Sequence, residues 1–131
     1  MCLISKTAIP SKSTYNIECY KVLKIENNKL FSPFVNYEYE LGDLYINSED
    51  SQFEEFAGHI MIQNGYYHSY RSKEAANICI NELISYKRRI KSKIPTLKIF
   101  KAEIPANTNF YEGQYADLAS KSLKIIEECL D

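Results

Sequence analysis

Apolar and polar positions change their period along the chain. "YNIECYKVLKI" alternates: Ile17, Cys19, Leu23 and Ile25 fall on one side, Tyr20 and Val22 on the other. A period of two predicts a strand, here with both sides covered. Lys21 interrupts the first side. "ENN" predicts a turn into "KLFSPFVNYEYELG", where Ser32-Pro33 breaks the run. Past the break, Val35, Tyr37, Tyr39 and Leu41 share a side, and Glu38 and Glu40 face away. Gly42-Asp43 predicts a turn into "LYI". "NSEDSQFEEFAG" reads as an acidic loop with a short helix around 52–56. "HIMIQNGYYHSY" reads as strand, Asn64-Gly65 turn, strand, because both turn residues tolerate the positive φ of a tight hairpin.

After Arg71 the period becomes 3.6. Ala76, Cys79, Ile80, Leu83, Tyr86 and Ile90 form the expected buried stripe of a helix. Ser72 is placed to N-cap it, and Glu74 in the first turn suits the positive end of the dipole. Lys87, Arg88, Arg89, Lys91 and Lys93 crowd the negative end, and Pro95 is the expected stop. "TLKIFKAEIP" predicts a strand whose apolar phase slips between Ile99 and Phe100, as in a strand buried on both faces or bulged. "ANTNFYEGQYADLASKS" reads as a loop with a turn at Gly113, and "LKIIEECL" as a last strand, with a short helix as the alternative. The expected fold is α+β: a curved antiparallel or mixed sheet with one long helix (about 73–93) packed on it, in a single globular domain over 1–131.

Composition narrows the chemistry. The 131 residues are 45% apolar and 25% charged, ordinary for a globular chain. A chain this long buries roughly two-thirds of its unfolded surface and needs no disulfide or metal to fold. Cys2, Cys19, Cys79 and Cys129 form no CxxC or Cys/His cluster, so a metal site is not expected. "MCLISKTAIPSKS" is too short in apolar length for a signal peptide, and no stretch approaches a membrane span. A cytoplasmic protein with reduced thiols is the expectation. There are 11 tyrosines and no tryptophan, which suits half-buried strands and binding surfaces alike.

Charge is unevenly laid out. From Leu30 to Tyr70 there is no Lys or Arg, while Glu38, Glu40, Asp43, Glu49, Asp50, Glu54 and Glu55 are present. From Leu83 to Ala102 there is no Asp or Glu. Two solvated surfaces that attract each other, within a chain or between subunits, are one reading. A basic patch for an acidic or phosphate-bearing partner is the other. Nucleic-acid binding is disfavoured, since the whole chain carries a formal charge of −1.

The glycine pattern of a phosphate loop or dinucleotide fingerprint is absent. His59 and His68 stand in "HIM" and "HSY", not in paired phosphoesterase motifs, and no metal set forms around them. The densest chemistry lies in "GYYHSYR". Tyr66 and Tyr70 are candidates to stack on a planar ligand, His68 to hydrogen-bond it, and Arg71 with the following helix N-terminus to meet a phosphate. "MCLI" resembles the start of class II glutamine amidotransferases, whose pattern the following residues do not continue.

"GYYHSYRSKEAANIC" and "LKIFKAEIPANTNFYEG" resemble ADP-ribosyltransferase-like domains. That resemblance implies an NAD or ADP-ribose ligand near His68 and makes His68 and Glu112 the candidate catalytic residues. The arginine or histidine of that family's first strand has no counterpart in "ECYKVLKI". In order along the chain, "MCLI", "CYKVL", "SPF…YEYELG", "GYYHSY…A" and "IPANTNFYEG" resemble small proteins of phages and mobile elements in gut bacteria. That resemblance implies a phage or prophage accessory protein acting by binding, such as a counter-defence inhibitor of a host protein or a nucleotide-signal binder, with no cofactor. The expected contacts are Tyr66, His68, Tyr70 and Arg71 for a ligand, and Lys87, Arg88, Arg89 and Lys91 for a partner. An ADP-ribosyltransferase-like enzyme and a homo-oligomeric structural protein are the alternatives.

Overall fold

The computed structural model describes residues 3–7, 9–33, 37–47, 52–56, 59–64 and 66–130, with 52–56 and 59–64 described by backbone alone. In chain order the strands are β1 (Leu3–Ser5), β2 (Ser11–Lys12), β3 (Ile17–Glu26), β4 (Lys29–Phe31), β5 (Glu38–Tyr39), β6 (Leu44–Ile46), β7 (Gln52–Phe56), β8 (His59–Asn64) and β9 (Tyr67–Tyr70). The helix α1 (Lys73–Arg89) follows, then β10 (Thr96–Ile104), β11 (Asn109–Glu112), β12 (Asp117–Ser120) and β13 (Ser122–Glu128). The main sheet runs β2-β11-β12-β9-β3-β10-β13-β6, with β4 on β3 and β5 on β4; a second sheet runs β1-β8-β7. Each described strand pairing is antiparallel. The fold is thus α+β, dominated by sheet. Its ladders make the main sheet open, with β2 and β6 at its ends.

β3 and β10 form the spine, in register from Ile17↔Ile104 to Ile25↔Thr96. The pleat divides their side chains between two layers. Ile17, Cys19 and Leu23 of β3 join Phe100, Ala102 and Ile104 of β10 in the larger core, with Tyr39, Tyr67, Leu118 and Ile125. Val22 faces the other way, against Ala76 and Cys79 of α1, with Tyr20, Tyr70, Leu97 and Ile99 around them. The phase slip in β10 is explained twice over. The strand is covered on both faces, and its register against β13 shifts between Lys101 and Ala102.

The larger core is closed by a strap. Asn27 and Asn28, both at positive φ (52° and 61°), make the tight β3–β4 turn. The chain then returns through β5, whose Tyr39 is buried in that core, and the Gly42 N–H donates to the Ile125 carbonyl oxygen at 2.7 Å before β6 pairs with β13. Gly42 sits at φ +83°, where an L side chain is strained. Of the expected apolar side of this strap, Tyr39 is buried while Tyr37 and Leu41 are exposed; Val35 lies outside the described residues.

On the helix side, α1 packs on β3, β9 and β10, and β1 lies over β11 and β12. Leu3 packs with Tyr66, Tyr111 and Ala119. β1 meets the tip of the β11–β12 hairpin through a Ser5↔Gly113 bridge. A Cβ at Gly113 would lie 2.9 Å from Leu3 Cγ and 2.0 Å from Asp117 Oδ1, so only glycine lets the two elements approach this closely.

Several local expectations change. Residues 52–56 are the strand β7, paired with β8, and not a short helix. Five residues are too few to sustain a helix without packing, and a partner strand is at hand. The segment read as a loop around Gly113 is the hairpin β11–β12. Phe110 and Tyr111 are both buried, on opposite faces, which hides the alternation. β1 and β2, unforeseen, also add short strands. Strands on either side of Asn64-Gly65 do form, but β8 belongs to the small sheet and β9 to the main one. Gly65 itself lies outside the described residues, as does Cys2.

The helix begins as expected: Ser72 Oγ accepts from the Ala75 N–H at 3.1 Å. It ends at Arg89, short of 93 and before Pro95 acts. Ser92 N–H donates to Lys87 O and Lys91 N–H to Arg88 O, with Lys91 at φ 55°. This is a Schellman termination with lysine in the place glycine usually takes.

Candidate functional site

Extended backbone from Tyr67 to Tyr70 sends neighbouring side chains to opposite faces. Tyr67 and Ser69 turn toward the strap; His68 and Tyr70 turn toward the helix. Tyr66 is buried against Tyr111, ring centroids 5.4 Å apart, and the Lys121 ammonium lies 4.8 Å from the Tyr66 centroid. His68 stands opposite Ala119. Its Nε2 is shielded from solvent and has no hydrogen-bond partner among the described residues. Burial first, and the Lys21 ammonium second, push its pKa down to about 3, so the imidazole is neutral near pH 7. The Tyr70 hydroxyl is raised by burial and by its hydrogen bond with the Cys79 thiol.

Arg71 leaves the strand. Its N–H donates to Ala116 O at 2.9 Å, and its Nε donates to Glu112 Oε1 at 2.7 Å, both side chains being partly exposed. The register Glu112↔Leu118 and Leu118↔Ser69 places Glu112 on the strap side. Of the four residues expected around a ligand, Arg71 is therefore joined to Glu112, while His68 and Tyr70 lie across the sheet from that pair. Tyr66 sits beneath the small sheet.

The strap side holds a feature that the sequence signalled only as an interruption. Lys21 is 5% exposed, in the midst of the larger core. Its ammonium donates to the His68 carbonyl oxygen and lies 5.3 Å from the centroid of Tyr39. Burial pushes its pKa down to about 8. Above it stand Tyr37, Tyr39, Tyr45 and Tyr67, with centroids 4.9–6.4 Å apart and the Tyr37 and Tyr67 hydroxyls 3.5 Å from each other. Ser69 Oγ lies beside the Cys19 thiol, fully buried, and makes no well-formed hydrogen bond among the described residues. Burial pushes the Cys19 thiol up to about 11 and raises that of Cys79, so neither is a nucleophilic thiolate near pH 7.

The third region is the end of α1. Ala76, Cys79 and Leu83 are buried, but Tyr86 and Ile90, next on the same stripe, are 49% and 50% exposed. The apolar stripe outruns the surface beneath it. Arg88, Arg89 and Lys91 are exposed around it and Lys87 half-buried. Among the described residues none of these four makes an ion pair. The Arg89 guanidinium lies 5.9 Å from the Tyr86 centroid, and an open groove of ≈590 Å³ whose lining includes Glu82, Leu83, Tyr86 and Arg89 runs alongside. The cations further along the basic segment are engaged elsewhere: Lys98 with Glu128 at 3.4 Å and Lys101 with Glu18 at 3.6 Å.

Among the described residues no group of three or more His, Cys, Asp or Glu side chains is arranged to hold a metal, and no helix is long and apolar enough to cross a membrane. Comparison with protein-family models, curated proteins and solved structures gives no match.

Proposed function

We propose that this protein acts by binding, and that the overhanging end of α1 is its contact surface for an acidic protein partner. The observation that carries this is the unburied continuation of the helix stripe, Tyr86 and Ile90, ringed by Lys87, Arg88, Arg89 and Lys91. Aromatic and arginine side chains are the usual anchors of protein contacts, and a basic rim steers an acidic partner toward them. A phage or prophage accessory role in the cytoplasm of a bacterial host, with a host protein as target, suits this mode of action.

The test is capture from a bacterial lysate by the wild type and by Arg88→Glu/Arg89→Glu, with thermal melts as a folding control. A partner held by the wild type and lost by an equally stable variant supports the reading. Identical captures sink it.

A second reading rests on the Arg71–Glu112 pair, where the ligand candidate Arg71 meets the catalytic candidate Glu112. Under an NAD-using activity, Glu112 would orient a ribose and Arg71 would meet a phosphate. Titration calorimetry with NAD and with ADP-ribose decides it; no heat from either removes the enzyme reading.

A further inference from the structure

The acidic strap and α1, whose last turn is basic, cover opposite faces of one sheet. Tyr39 of the strap is buried with Cys19, Leu23 and Phe100. Ala76 and Cys79 of α1 are buried with Val22. Alternation along β3 puts Cys19 and Leu23 on one face and Val22 on the other. Glu38, Glu40 and Asp43 of the strap are all exposed, and among the described residues none of them makes an ion pair. Apolar surface stands among them: Tyr37 is 41% and Leu41 52% exposed. The helix end presents the reverse, Tyr86 and Ile90 amid Arg88, Arg89 and Lys91.

These two surfaces match in kind, apolar centre against apolar centre and acid against base, and within one chain α1 and the strap cover opposite faces of the sheet. We infer that a second copy of this chain is the partner they fit, the α1 end of one copy seating on the β5–β6 strap of the next. The inference rests on the reading of the helix end as a contact surface and names what it contacts. The contact is head-to-tail: each copy uses one surface and leaves the other free. Such an interface does not saturate at a dimer; it closes into a ring or continues as a stack. Each patch offers only a few apolar side chains, so the association is weak and dominated by charge.

The experiment is sedimentation velocity on the full chain over a wide concentration range, at about 50 mM and about 500 mM salt, which differ severalfold in screening length. The expected result is a sedimentation coefficient that climbs with concentration past the dimer at low salt and falls to the monomer value at high salt. Arg88→Glu/Arg89→Glu alone and Glu38→Lys/Glu40→Lys alone should each be monomeric with unchanged melting. Mixed in equal amounts, the two variants should associate again, because each then carries the surface the other needs. A wild type that stays monomeric at low salt, an association that ends at a dimer, persistence in either variant, or a mixture that does not associate overturns the stack. A monomeric wild type whose lysate partner still depends on Arg88 and Arg89 would overturn the stack alone. A stack whose helix-end variant captures the same lysate proteins would overturn the proposed function alone.

Discussion

The two faces of the main sheet are covered by different means. On one, an amphipathic helix lays Ala76, Cys79 and Leu83 toward the sheet, with Val22 beneath, and its polar groups are satisfied within the helix itself. On the other, a strap of two short strands and a turn places Tyr37, Tyr39 and Tyr45 over β3 and β9. The helix is a self-sufficient cover, so its fit to the sheet can be partial, and its last turn overhangs. The strap is held by pairing at both ends. It depends on β5 pairing with β4, on Gly42 reaching Ile125, on β6 pairing with β13, and on tyrosine rings that fill the space beneath it. Under the strap a lysine is buried with a carbonyl and a ring face in place of a carboxylate. That arrangement has a cost in stability that the helix face does not bear.

Removing the strap's anchor should break the contrast most sharply. Tyr39→Ala should lower the unfolding free energy by about 3–5 kcal/mol, as for other large-to-small aromatic changes in cores. A loss under about 1 kcal/mol in urea denaturation would make the strap a dispensable cover rather than part of the core.

Lys21→Met should act in the opposite direction, raising stability at pH 7 by up to about 3 kcal/mol, since a pKa unit is worth about 1.4. Lys21 titrates near 8 when folded against an ordinary 10.5. Between those values the unfolded chain binds more protons, so wild-type stability rises with pH from 8 upward and the variant's advantage shrinks. Near pH 10 the trend reverses, because Tyr39, Tyr67 and Tyr70 have raised hydroxyls in the fold and the unfolded chain releases those protons first. Denaturant titrations at pH 7, 8.5 and 9.5 read this directly; parallel curves for the two proteins would remove Lys21 from the account.

The helix face should answer more mildly. Ser72→Ala removes the cap acceptor and should cost about 1 kcal/mol, seen as a shift in urea midpoint with unchanged slope. Smallest of all is the Arg71–Glu112 pair. Both side chains are partly exposed and screened by solvent, so a double-mutant cycle with Arg71→Ala and Glu112→Ala should give a coupling of roughly 0–1 kcal/mol. A coupling of several kcal/mol would mean that the pair anchors the β11–β12 hairpin to Arg71.

Much of the helix face was legible along the chain. The 3.6 period, the Ser72 cap and the alternation of β3 are local properties, and local propensity was enough to place them. So was the Lys21 interruption, visible as a lysine in an apolar phase, although only its surroundings show what holds it. The same locality explains the errors. Stripe membership of Tyr86 and Ile90 is a matter of period, but their burial needs a surface beneath them, and where the sheet stops is not written in the helix. β7 and β11 show no clean alternation, and only their partner strands reveal them. For the candidate site, the sequence pointed to Tyr66, His68, Tyr70, Arg71 and Glu112 as neighbours in chemistry. Strand pleating then separated His68 and Tyr70 from Arg71 and Glu112, because adjacent residues of a strand point to opposite faces and strand order decides what each face meets. Sequence alone likewise determined that acidic and basic residues are segregated along the chain. That the strap and α1 cover opposite faces of one sheet was decided by the tertiary structure, since only the fold sets which side of β3 each of them covers.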